Sequence, residues 1–145
     1  MKIVEVFAQN GQIEGSSWLR RAEDIHRQLR PHLPTDYVAK MARVLKDARM
    51  AIAVEGDEVF GLAVYRWHEN TFDGLKFYVD DLVTDEKHRS EGVGHALIEH
   101  LEYAARKLDA NGLSLDSGTQ RMQAHKFYFR EGFVISAFNF KKSFL

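Results

Sequence analysis

The stretch Asp80-Asp81-Leu82-Val83-Thr84-Asp85-Glu86-Lys87-His88-Arg89-Ser90-Glu91-Gly92-Val93-Gly94 constrains the fold more than any other part of the chain. An apolar segment beginning with alternating Leu75, Phe77 and Val79 runs into it, which predicts a strand over Leu75 to Thr84. A helical stripe leaves it, with Val93, Leu97, Leu101, Ala104 and Leu108 at spacings of three and four. Asn111-Gly112 is suited to ending that helix, and Leu113 to Leu115 reads as the next strand. Strand, glycine-bearing loop, long helix and strand in this order make a crossover onto a sheet.

The loop has the physical makings of an anion site. The first N–H groups of a helix have no internal partner, and the helix dipole places about half a positive charge there. Gly92 and Gly94 remove side chains, so backbone can close on phosphate oxygens, and Arg89 adds charge or fixes the loop's shape. The same glycines would equally serve a tight turn that needs a positive φ at Gly92. The Walker A pattern and the G-x-G-x-x-G dinucleotide fingerprint are both absent, so those two classes of nucleotide site do not apply.

Around this segment the chain reads as a strand over Lys2 to Phe7 and a helix over Ile13 to Leu29, with Trp18, Ala22, Ile25 and Leu29 on one stripe. Pro31 and Pro34 punctuate the helix end, and Thr35 or Asp36 caps a second helix that buries Val38, Met41 and Leu45. Met50 to Val54, a Gly56-Asp57 turn and Val59 to Trp67 form a hairpin, and a longer turn over Asn70 to Gly74 follows. Downstream come a helix over Arg121 to Glu131, stopped by Gly132, and an extended segment over Phe133 to Phe140. Three antiparallel strands followed by crossover helices predict an α/β (α+β) fold: a mixed, mostly antiparallel sheet with helices on both faces.

Length and composition narrow the functional classes. A chain of 145 residues suits one domain, 1–145, around one core. A net charge of -1 provides no global basic field, so neither nucleic acid nor a membrane is an expected partner. There are no cysteines, which removes disulfides and thiolate metal sites and is compatible with a cytoplasmic location. Met1 to Asn10 holds only short apolar runs broken by Lys2 and Glu5, unlike a secretory signal. The seven histidines show no ligand spacing with supporting carboxylates, so no metal is expected.

Arg89-Ser90-Glu91-Gly92-Val93-Gly94 resembles the Q/R-x-x-G-x-G/A pattern of the GNAT acetyltransferase superfamily. Ala124-His125-Lys126-Phe127-Tyr128-Phe129-Arg130-Glu131-Gly132-Phe133 resembles that superfamily's A-x-x-F-Y-x-x-x-G-F segment, in the expected order and on the expected elements. The resemblance covers about residues 50 to 140 and implies the GNAT fold with acetyl-CoA as cosubstrate. It implies that the backbone of Arg89, Ser90, Glu91, Gly92, Val93 and Gly94, with the helix start at His95, holds the CoA pyrophosphate. Leu82, Val83 and Thr84 would pair their backbone with the pantetheine arm, and the thioester would lie between that strand and Leu113 to Leu115. Tyr128 matches the tyrosine that often protonates the departing sulfur. Many relatives carry an asparagine before the second motif, where this chain has Asp116-Ser117-Gly118-Thr119-Gln120; Ser117 or Gln120 would take its place. His125 would line the CoA channel or serve in packing.

The chemistry such a protein must manage is definite. An alkyl amine with a pKa near 10.4 must lose a proton before attack, which costs roughly 4 to 5 kcal/mol at pH 7. Asp80 and Asp81 stand on the strand beside the expected thioester, and regular alternation sends their side chains to opposite faces. Asp81 is the favoured base, with solvated strand-end carboxylates as the alternative for both. The absence of cysteine argues for direct transfer in a ternary complex over an acyl-enzyme. Arg20, Arg21, Arg27 and Arg30 read as a solvated face, and Trp18 and Tyr37 as acceptor-pocket wall or core. The competing function is a noncatalytic CoA-binding regulatory module. A homodimer that uses the apolar tail Phe138 to Leu145 as an edge strand is the expected form of self-association.

Overall fold

A computed structural model describes residues 1–144. Its elements are β1 (Lys2–Gln9), β2 (Gln12–Glu14), α1 (Ser17–Leu29), α2 (Tyr37–Val44), β3 (Arg49–Glu55), β4 (Glu58–Asn70), β5 (Gly74–Thr84), a 3₁₀ turn (Glu86–His88), α3 (Val93–Lys107), β6 (Leu113–Leu115) and α4 (Met122–Arg130). The strands form a mixed six-stranded sheet in the order β2-β1-β3-β4-β5-β6, and every pairing from β2 to β5 is antiparallel. The chain forms two compact units, Met1–Ser114 and Leu115–Leu145.

In the first unit, period-two alternation sorts the strands onto two faces. Val6, Met50, Ile52, Val54, Leu62, Val64 and Val83 form one buried layer with Leu19, Ala22 and Ile25 of α1 and Tyr37 and Met41 of α2. Gly61 belongs to the opposite face, where Val93 of α3 approaches it. Helices therefore cover both faces, as expected. A Cβ on Gly61 would lie 2.8 Å from the Val83 carbonyl oxygen and 2.8 Å from Val93 Cγ1. Gly61→Ala is expected to cost about 1 to 3 kcal/mol through overpacking, read as a lower urea midpoint at an unchanged m-value.

Several sequence expectations are corrected. Ile13 lies in β2, not in the first helix, because Asn10 (φ +52°) and Gly11 (φ +76°) turn the chain back onto β1. Asn-Gly is the strongest short hairpin signal, so this turn was legible. Asp36 provides the α2 cap, its carboxylate accepting from Ala39 N–H at 3.0 Å. The buried stripe of α3 is Val93, Leu97, Ile98, Leu101 and Ala105, with Leu108 at the rim. That helix ends at Lys107 through Asp109 (φ +59°), before Asn111-Gly112 is reached.

In the second unit, α4 occupies nearly the span expected for it, followed by Gly132 at φ +91°. Residues 133–144 carry no strand, because no ladder of backbone hydrogen bonds forms along them. Leu145, the end of the tail expected at a dimer edge, lies outside the described residues. No helix among the described residues is long and apolar enough to cross a membrane.

Candidate active site

Where β5 leaves the sheet, the chain is stitched to its neighbours before the glycines are reached. Asp85 N–H donates to the Phe60 carbonyl at 2.8 Å. The Asp85 carboxylate accepts from Gln28 Nε2 at 3.0 Å and from Lys87 N–H at 3.3 Å, while Gln28 Oε1 accepts from Glu86 N–H at 3.0 Å. Burial opposes ionisation of Asp85, but the bonds from Gln28 and Lys87 outweigh it and hold the carboxyl below its ordinary range. The His88 ring stacks on Phe60 at 3.6 Å and contacts Glu58 at 3.1 Å and Glu91 at 3.3 Å. Hydrogen bonding to Glu58, then to Glu91, raises its pKa above the ordinary histidine value.

After this anchored start the backbone turns twice into the left-handed region, at Ser90 (φ +64°) and at Gly92 (φ +85°). Gly92 is the N-cap of α3. Open space surrounds the position of a Cβ there, so the demand for glycine comes from φ and not from crowding. The first intrahelical bond runs from Ala96 N–H to the Gly92 carbonyl at 3.0 Å. The N–H groups of Val93, Gly94 and His95 precede it, at the positive end of a 15-residue helix. The tight-turn reading of Gly92 is met by its φ of +85°, and the same turn leaves the first N–H groups of α3 without an intrahelical partner. Arg89 and the His95 side chain are exposed, the latter 3.6 Å from Glu99. Leu82, Val83 and Thr84 pair with Ala63, Leu62 and Gly61 of β4, and the other edge of β5 faces β6.

The ladder between β4 and β5 is irregular where the two aspartates lie. Val64 faces Asp81 and Tyr65 faces Val79, so Asp80 is an extra residue, a β-bulge. The bulge overturns the expectation that Asp80 and Asp81 point to opposite faces. Asp81 meets His26 of α1 at 2.7 Å and Arg30 at 2.7 Å. Asp80 meets Arg66 at 2.6 Å, and alternation places Arg66 opposite Tyr65 and so on the same α1/α2 face. Arg66 also reaches Asp47 at 3.1 Å. Burial raises the cost of ionising Asp81, but His26 and then Arg30 outweigh it and hold its carboxyl below the ordinary carboxylate range.

Sequence reasoning missed two partners at this point. Arg30, read as part of a solvated face, is an ion-pair partner of Asp81. His26 was the legible signal, a polar residue within the otherwise apolar stripe of Ala22, Ile25 and Leu29. Tyr37 is core, with its hydroxyl on His26. Trp18 packs against the core and carries Arg21 over its ring at 4.9 Å.

The remaining expected residues belong to the second unit. Tyr128 lies on α4 with its ring edge-on to Phe127 and Phe133, at 5.5 and 5.6 Å. His125 Nε2 bonds to the Gly118 carbonyl at 2.9 Å. The Ser117 hydroxyl oxygen is buried with no hydrogen-bond partner among the described residues.

The sequence profile of the Acetyltransferase (GNAT) family matches residues 16–133. The uncharacterized N-acetyltransferase YhdJ of Bacillus subtilis (strain 168) is 40% identical over 70 residues, which span 48% of this chain and only about half (49%) of that protein. The aminoglycoside N-acetyltransferase AAC(6')-Iy, solved in complex with CoA, superposes with a TM-score of 0.82 at 16% identity, covering 98% of this chain and 93% of the other. The ribosomal-protein-alanine N-acetyltransferase of Brucella melitensis biovar Abortus 2308 superposes with a TM-score of 0.79 at 15% identity, covering 99% and 100%. At such identities the likeness is one of fold.

Proposed function

Since the chain belongs to the acetyltransferase (GNAT) family, we propose that it carries acetyl from acetyl-CoA to an amine by direct transfer within a ternary complex. The observation that carries this reading is the anchored loop that enters α3 through Ser90 and Gly92 with its first N–H groups at the helix end. In the proposal, the backbone of residues 89–95 receives the CoA pyrophosphate, and Leu82 to Thr84 pair with pantetheine. Ser117, whose hydroxyl has no partner among the described residues, offers a further polar contact to the cosubstrate, and His125 lines its channel. Residues 1–145 act as one acetyltransferase domain, and the lack of cysteine fits a cytoplasmic location.

The acceptor ammonium is drawn to Asp81 and releases its proton there to water. Because Asp81 is a weakened base, it lowers the cost of deprotonation by position and charge and does not retain the proton. The amine nitrogen forms a bond to the thioester carbonyl carbon, its second proton leaves to water, and the C–S bond breaks. The leaving thiolate takes a proton from Tyr128, which recovers one from water. The products are an acetylated amine, CoA and one proton released.

The test is free CoA released from acetyl-CoA with a panel of amines, run beside thermal shifts with acetyl-CoA, CoA and ATP. Amine-dependent release is expected, with stabilisation by the two CoA ligands and none by ATP. Ligand at about 100 times its Kd adds about 2.7 kcal/mol. Tight acetyl-CoA binding without release on any amine would instead favour a regulatory CoA-binding module.

A further inference from the structure

Three side chains from three elements form one unbroken hydrogen-bonded line. Tyr37 Oη, at the start of α2, lies 2.8 Å from His26 Nδ1 on α1, and His26 Nε2 lies 2.7 Å from Asp81 Oδ2 beside the bulge of β5. His26 and Tyr37 are each 1% exposed. An apolar pair would fill this space without needing polar partners, so the line is more than packing material.

The chemistry of the groups orders the protons. A carboxylate has none to give, so His26 carries one on Nε2 and donates to Oδ2. In the neutral ring Nδ1 is then a lone pair and accepts the Tyr37 O–H. Burial, with Glu23 and Asp81 nearby, holds the Tyr37 phenol protonated against the opposing pull of Arg27. The other Asp81 oxygen, Oδ1, accepts from Arg30 Nε at 2.8 Å, on a side chain that is 51% exposed. One oxygen of Asp81 is therefore fixed from inside, and the other faces a cation at the surface.

We propose that His26 and Tyr37 are positioning residues for acetyl transfer, which set the rotation of Asp81 so that Oδ1 is the oxygen offered to the acceptor ammonium. The Arg30 guanidinium marks the place that ammonium takes. This inference rests on the assignment of Asp81 to the acceptor side. The charged groups facing the line are Glu23, Arg27 and Arg30, from α1 and its end.

The first test needs no turnover. Nitrogen NMR of the native protein is expected to show the neutral His26 ring protonated on Nε2, and a neutral ring protonated on Nδ1 would overturn the proposal. The second test is kinetic. Tyr37→Phe is expected to lower kcat/KM for the amine about tenfold and to move its acidic limb to higher pH, with KM for acetyl-CoA within about twofold of native. His26→Gln keeps an N–H donor for Oδ2 and is expected to recover to within about threefold of native, while His26→Leu does not. Folded Tyr37→Phe and His26→Leu proteins with native kcat/KM and a native acidic limb would overturn it. If the chain transfers no acetyl at all, the function assigned above fails, while the tautomer and the carbon-detected titration of Asp81 in Tyr37→Phe still decide the positioning.

Discussion

Tyr128→Phe is expected to lower kcat for amine-dependent CoA release by about 10- to 100-fold, with KM for acetyl-CoA within about twofold of native. The substitution removes one oxygen and keeps the ring, so the edge-on contacts to Phe127 and Phe133 persist. In the proposed mechanism, what is lost is the proton for the leaving thiolate. A phenol with a pKa near 10 is well matched to a thiol of about 8.5 to 10, so it can donate as the C–S bond breaks and recover its proton from water. Without it the sulfur departs as an anion or borrows a proton from solvent. Steady-state release assays at saturating acetyl-CoA measure the effect, and an unchanged kcat would remove Tyr128 from the chemistry while leaving the transferase intact.

Asp81→Leu is expected to combine a catalytic and a structural loss. Amine kcat/KM should fall about 100-fold, because in the proposed mechanism the acceptor ammonium loses the carboxylate that draws it in. Stability at pH 7 should fall by about 1 to 3 kcal/mol, chiefly because the Nε2–H of buried His26 is left without an acceptor. The half-exposed Arg30 adds little, since water screens it. The pH dependence follows from the direction of the Asp81 shift. Its folded pKa is depressed, so its contribution is present above the unfolded pKa and is lost as pH falls through the folded pKa. Urea unfolding at pH 7 and in acid, below the ordinary carboxylate range, should show the gap between native and Asp81→Leu shrinking in acid. A gap that stays constant with pH would mean that ionisation of Asp81 does not stabilise the fold.

The two expectations differ in how far each could be read from the chain alone. The tyrosine lies in a local motif, whereas the partners of Asp81 come from positions 51 and 55 residues away. Alternation over Leu75 to Val79 was correct as far as it went, but it assumed a regular strand. A bulge is an agreement between two strands about which residue is left over, and nothing within Asp80-Asp81 alone announces it. The second helix shows the contrast: Asp36 is a local cap, and it was found as one.

What the sequence by itself determined is whatever is settled within a few residues: the strand-loop-helix unit around Gly92, the periodic faces of the helices, the hairpin at Gly56 and the two motifs that mark the family. Only the tertiary structure decided that the two aspartates share a face, that His26 is buried as a hydrogen-bonding link, and that Arg30 is an ion-pair partner. The physical reason is range. Backbone propensity and periodicity act over one or two turns, whereas a buried polar group takes its role from whichever partners packing brings within about 3 Å, however distant they are along the chain.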